Sequence, residues 1–171
     1  LNKVACDSEV IEMVQFKDFL TQFIAPRQWV PLRTEWSIYD SDRMIAGQTD
    51  SIWYHPGSGT FHMIDWKVIQ KELDAMDGRS FNLFGFPPCD HLLDNKFNHY
   101  ACQQNLYSTI LKDHYGIALQ SMWLVQLHAS SDSFRAIPVP SFNSLAQNML
   151  DICAFGRCVM FHYGGAESED E

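Results

Sequence analysis

The chain has 171 residues, 46% hydrophobic and 19% charged, with 21 acids against 12 bases for a formal charge of -9. This size and composition describe a chain with its own core, and no apolar run approaches the ~20 residues of a membrane span. The acidic balance excludes a polycation that grips nucleic acid by bulk charge, so any phosphate-binding surface has to be local.

Cys6, Cys89, Cys102, Cys153 and Cys158 form an odd set too sparse for a disulfide scaffold, which points to reduced thiols and an intracellular, soluble protein of nucleus or cytoplasm. The opening Leu1-Asn-Lys3 carries no initiator Met and reads as the start of a fragment. The expected organisation is a single domain over 1–171, ending in an acidic flexible tail at 164–171.

In chain order, Val10, Ile11, Val14, Phe16, Phe19, Leu20 and Phe23 recur at helical spacing between Ser8 and Ile24, and Pro26 is expected to close that helix. Alternation over Arg33–Tyr39, the turn residues Asp40-Ser-Asp42, a run from Met44 to Tyr54, the turn His55-Pro-Gly-Ser-Gly59 and a run from Thr60 to Val68 predict a three-strand antiparallel meander. A long loop over Asp74–Lys96 follows, then a helix over Tyr100–Tyr115 capped by Gly116. The strand Gln120–His128, a short edge strand over Ala136–Val139 and a helix capped by Ser141 and running to about Cys158 complete the pattern. The fold class is α/β: a mixed central sheet flanked by helices, with a crossover helix that permits a parallel pairing of the third and fourth long strands.

The chemistry gathers in Gly47-Gln-Thr-Asp-Ser-Ile-Trp-Tyr-His-Pro-Gly-Ser-Gly-Thr-Phe-His-Met-Ile-Asp-Trp-Lys67. A turn centred between Gly57 and Ser58 pairs residues whose numbers add to 115, which sets Asp50 opposite Asp65. Opposed side chains on one sheet face stand roughly 5 Å apart, so like charges there cost stability unless a cation or proton intervenes. Period two adds Lys67 to that face. Two carboxylates, one ammonium and the Trp66 backbone carbonyl suit Mg²⁺ or Mn²⁺, with Lys67 placed to orient or help deprotonate a water. The same spacing also suits a surface hairpin on which Lys67 bridges two exposed acids.

Gly47-Gln-Thr-Asp50 followed by Ile64-Asp65-Trp-Lys67 resembles the paired motif of the PD-(D/E)XK nuclease superfamily. Gln103-Gln-Asn-Leu-Tyr107 is similar to the Gln-X-X-X-Tyr motif of its RecB-like exonuclease branch. The resemblance runs roughly from Glu35 to His128. It implies a restriction-endonuclease-like core and an Mg²⁺- or Mn²⁺-dependent exodeoxyribonuclease in which Asp50, Asp65 and Lys67 are catalytic. Asp50, Asp65 and the Trp66 carbonyl would hold the metal, while Gln103 and Tyr107, on one helix face, would position nucleic acid. The implied partner is DNA, single-stranded or at strand ends, with RNA not excluded and no membrane. Members of that branch carry a further His or Glu on an N-terminal helix. Here the first helix offers only Glu9 and Glu12, outside any such motif, and Glu35 on the first strand is a candidate substitute metal ligand, the alternative being a solvated or salt-bridged strand residue. The alternative is a catalytically inactive nuclease-fold module that binds nucleic acid or serves assembly.

Three further clusters compete for a role. Cys89, His91, His99 and Cys102 are ligand types for structural zinc, at unusual spacing, and ordinary loop and helix roles serve them equally. His55 and His62, flanking the hairpin turn, are expected at the surface, and His128 at the edge of the core. Phe81, Phe84 and Phe86 either stack on bases or, the favoured reading, pin the long loop to the core.

Overall fold

A computed structural model describes residues 10–69, 71–76 and 83–154. Its elements are α1 (Ile11–Phe19), a π turn (Leu20–Ile24), α2 (Ala25–Arg27), β1 (Val30–Asp40), β2 (Ile45–His55), β3 (Thr60–Val68), α3 (Lys96–Tyr115), β4 (Leu119–Leu127), β5 (Arg135–Val139) and α4 (Asn143–Ala154). The strands form one open, mixed five-stranded sheet in the order β1-β2-β3-β4-β5. β2 and β3 pair antiparallel, whereas β3 and β4 pair parallel across the connection that contains α3. The expected meander and crossover are both present. Among the described residues no helix is long and apolar enough to cross a membrane.

Two compact units share the chain. The first takes Leu1–Trp36, Thr49–Glu72 and Leu119–Pro138; the second takes Ser37–Gln48, Leu73–Ala118 and Val139–Glu171. In the first, Phe19, Phe23 and Ile24 pack with Trp53, Ile64, Val125 and Leu127. Phe16 and Phe19 meet the Trp66 ring edge-on at 5.1 and 4.7 Å, so the face of β3 that carries Ile64 and Trp66 is the one α1 covers. In the second, Leu145 and Met149 of α4 pack with Cys89 and Cys102.

The first helix departs from its expected pattern twice. Val10, Ile11 and Val14 are exposed, while Gln15 is buried, because its amide serves the turn after β4. Pro26 does not close the helix. The Ala25 N–H reaches back five residues to the Leu20 carbonyl, and this widened turn relieves the clash that a proline ring makes with the preceding turn of an α-helix. The helix ends instead at Gln28, whose φ of 55° is left-handed.

The crossover helix starts four residues earlier than its apolar period suggests. Asn95 caps it by accepting from the Asn98 N–H, and Gly116 ends it at φ 69° as expected. Ser141 is not the cap of α4: the helix begins at Asn143, with the Ala146 N–H donating to the Phe142 carbonyl. The expected continuation to Cys158, the acidic tail, Cys6, Glu9 and Phe81 lie outside the described residues.

Candidate functional site

The hairpin register follows from its turn. Gly59 at φ 70° donates its N–H to the His55 carbonyl at 2.9 Å, while His55 Nδ1 accepts the Ser58 N–H. From His55 opposite Thr60 to Ser51 opposite Ile64, the paired residue numbers add to 115 throughout. The ladder ends there, one step before Asp50 and Asp65. Beyond it the Trp66 N–H donates to Asp50 Oδ2 at 2.7 Å, so a side-chain carboxylate replaces the main-chain acceptor. That substitution ends main-chain pairing at the acids and ties Asp50 to the strand that carries Asp65.

Asp65 and Lys67 lie on the face of β3 opposite Ile64 and Trp66, away from α1. Asp65 is buried, and the Lys67 ammonium stands 2.6 Å from its Oδ2. Beyond that ammonium, this oxygen has no hydrogen-bond partner among the described residues. Burial pushes the Asp65 carboxyl above its usual range; Lys67 pulls it back, and the charge of Asp50 adds to the rise. The arrangement is a low-dielectric carboxylate whose buried Oδ2 has one ammonium as its partner, with a second carboxylate close by. Hard oxygen donors of this kind, two carboxylates against one ammonium, fit a divalent cation.

Glu35 is exposed on β1 at a left-handed φ of 48°, and among the described residues no three His, Cys, Asp or Glu side chains come together as a metal group.

In the second unit, Gln103 and Tyr107 share one face of α3, and Gln103 Nε2 donates to Tyr107 Oη at 3.1 Å. The tyrosine ring lies directly over Gly47: a Cβ built there would sit 2.3 Å from Tyr107 Cε1 and 2.7 Å from its Oη. Gly47 is thus the seat of Tyr107, a role that sequence reasoning missed. The available signal was a glycine inside an otherwise regular strand, which marks close approach of another group.

The remaining clusters sort differently from expectation. Cys89 and Cys102 are buried together, and the Cys102 thiol is pushed up by its hydrogen bond to Cys89 and by burial. His99 instead pairs with Asp94 at 2.6 Å and His91 is exposed, so the four do not converge on one point. His62 is not a surface residue. It is buried, stacked 3.8 Å from Trp29 and bonded through Nδ1 to Ser121, and burial, with the charges of His55 and Arg27, lowers its pKa to about 4. Phe84 and Phe86 are exposed rather than buried pins.

No protein-family model and no curated protein matches the chain. Among solved structures it is similar to the crystal structure of a candidate exonuclease from Eubacterium rectale, with 14% identity and a TM-score of 0.51 over 93% of this chain. The match takes up 56% of the other protein, so this chain spans little more than half its length. At this identity the likeness bears on architecture alone. The chain has a mixed, open sheet flanked by helices, of generally restriction-endonuclease-like form, and its fold resembles a nuclease-type scaffold.

Proposed function

We propose that this chain is a nuclease that hydrolyses phosphodiester bonds in DNA with Mg²⁺ or Mn²⁺, in the manner of the RecB-like exonuclease branch. One observation carries the reading: Asp50 and Asp65 flank the open end of the β2–β3 ladder, with the Lys67 ammonium 2.6 Å from a buried Asp65 oxygen that has no further partner among the described residues.

In this reading Asp50, Asp65 and the Trp66 backbone carbonyl hold the ion. When bound, a divalent cation polarises the phosphoryl oxygen and lowers the pKa of a coordinated water. Asp50 is kept in place by the Trp66 N–H, so one of its oxygens is fixed while the carboxylate keeps acceptor capacity. Lys67 offsets the carboxylate charge of the resting protein and is available to orient a water and stabilise charge that grows on the phosphate. Gln103 and Tyr107 offer an amide and a phenol to the sugar-phosphate backbone. Exonucleolytic action, preference for single strands or strand ends, and use of DNA over RNA belong to this proposal through the resemblance of the motifs.

A second reading is a nuclease-fold module that binds nucleic acid without cleaving it. Its support is in the sequence, where Glu9 and Glu12 stand outside the motif in which the RecB-like branch carries its further His or Glu.

The test incubates the protein with end-labelled single- and double-stranded DNA and RNA in Mg²⁺, Mn²⁺ or EDTA, beside Asp65→Ala and Lys67→Ala. DNA cleavage that needs the metal and drops at least about 100-fold in both variants is expected. Cleavage in EDTA, or variants as active as the parent, overturns the nuclease reading. Binding without cleavage, retained in both variants, selects the second.

A further inference from the structure

A cavity of about 610 Å³ opens in the first unit at the carboxyl ends of β3 and β4, lined by Glu12, Val68, Ile69, Leu127, His128 and the Ala129-Ser130 turn. It begins one residue beyond Lys67 along the chain, on the α1 side of the sheet. Its volume lies within the usual span for small-ligand sites.

Two buried glutamines fix the backbone around it. Gln15, 1% exposed, donates from Nε2 to the His128 and Ser131 carbonyls at 2.9 and 2.6 Å and accepts the His128 N–H at 2.9 Å. Gln126, 3% exposed, donates to the Lys71 carbonyl at 2.9 Å and fixes the backbone that leaves β3. The Ser130 N–H donates to His128 Nδ1 at 2.9 Å, which sets the orientation of the ring at the cavity. Three anchoring bonds from one buried amide, and a second amide that holds the chain leaving β3 from the other face of the sheet, preorganise a recess that packing alone would leave to loop motion.

The lining selects a class of ligand. Val68, Ile69, Leu127 and Ala129 are apolar, none of the described lining residues is Lys or Arg, and the charge present is the Glu12 carboxylate. A phosphate is therefore disfavoured, and a group with both apolar surface and hydrogen-bond donors of its own is favoured. A carboxylate accepts only, so it pairs with the exocyclic amine of cytosine or adenine and best with guanine, whose adjacent ring N–H and amine can meet both oxygens. Thymine and uracil present carbonyls beside their one N–H, which a carboxylate repels.

We infer that this cavity is a base-binding subsite that takes an amino-bearing nucleobase, guanine foremost, from a strand whose backbone passes the end of β3. The inference rests on the proposed function only for the ligand being a nucleic acid. The base would enter around the strand end from Lys67.

The test needs neither metal nor cleavage. The 171-residue protein, labelled with ¹⁵N, is titrated in EDTA with deoxyguanosine, deoxycytidine and thymidine, and the amide shifts are followed. Shifts centred on His128–Ser130 are expected, with deoxyguanosine binding at least about 5-fold more tightly than thymidine, as one good hydrogen bond of about 1 kcal/mol provides. Glu12→Gln should remove that preference, and Val68→Trp, at an exposed position on the rim, should block all three nucleosides. Equal affinities, a preference that survives Glu12→Gln, or shifts elsewhere overturn the subsite. Selective nucleoside binding by a protein that does not cleave DNA leaves the subsite standing and removes the nuclease reading. Cleavage without nucleoside binding does the reverse.

Discussion

Asp40 and Asp65 are both buried, at 1% and 6% exposure, yet the two units treat them in opposite ways. Asp40 Oδ1 accepts the Asp42 and Arg43 N–H groups at the β1–β2 turn, and its Oδ2 meets the Arg43 guanidinium at 2.7 Å and His114 at 3.2 Å. Burial opposes ionisation of Asp40, but the Arg43 side chain, the Arg43 N–H and His114 together outweigh it and hold the carboxyl at about 2. Asp65 has one ammonium on its buried Oδ2 and a neighbouring acid, and its pKa rises. The second unit shows that this fold can satisfy a buried carboxylate fully. Leaving Asp65 short of partners is thus a property of that place, as expected where a ligand completes the set.

The contrast can be broken most severely at Asp40. Asp40→Asn keeps an acceptor for the turn but sets an amide against Arg43 and His114, and should lower stability by about 2–3 kcal/mol in urea denaturation. Acid should discriminate next. The Asp40 carboxyl is depressed, so its contribution is present above the unfolded value of 3.8 and is lost as pH falls towards about 2. The Asp65 carboxyl is raised, so its contribution is full below 3.8 and is lost as pH rises through its folded value. The stability gap between the parent and Asp40→Asn should therefore narrow on acidification, while the balance between the parent and Asp65→Asn should shift towards the parent. Urea midpoints across that pH range would show parallel curves if the two sites were alike.

A smaller effect belongs to Gly47→Ala, which drives a methyl group into the Tyr107 ring and should cost about 1–2 kcal/mol. The penalty should vanish in a Tyr107→Ala background, as read by a double-mutant cycle. Smallest of all, Asp65→Asn should change stability by less than about 1 kcal/mol near neutral pH, since it removes an underserved buried charge along with the ion pair to Lys67.

The hairpin register was legible because a turn centred between Gly57 and Ser58 fixes which residues of the two strands oppose each other, and this alone brought Asp50 towards Asp65. The crossover was legible from the helix between two apolar strands. Gln15 and Gln126 were not, since a glutamine in sequence looks like surface until the carbonyls it serves are known. Asp40 could be read as a turn residue but not as a buried one: its partners Arg43 and His114 come from the turn and from α3, and Arg43 is itself held by Asp151 of α4, 108 residues away. Pro26 misled because the π turn that accommodates it leaves no mark in the hydrophobic period. His62 misled because a histidine beside a turn gives no hint of Trp29 stacking over it.

The two outer strands of the sheet each contain a proline, Pro31 in β1 and Pro138 in β5. A proline withholds the N–H that an added strand would need, and β1 is further bent by the left-handed Glu35. Neither border offers an unbroken row of donors to a second sheet, so an open sheet with exposed apolar residues near its first helix and strand, among them Val10, Ile11, Met13, Val14, Val30 and Leu32, is still guarded against growth into fibrils by edge-to-edge stacking.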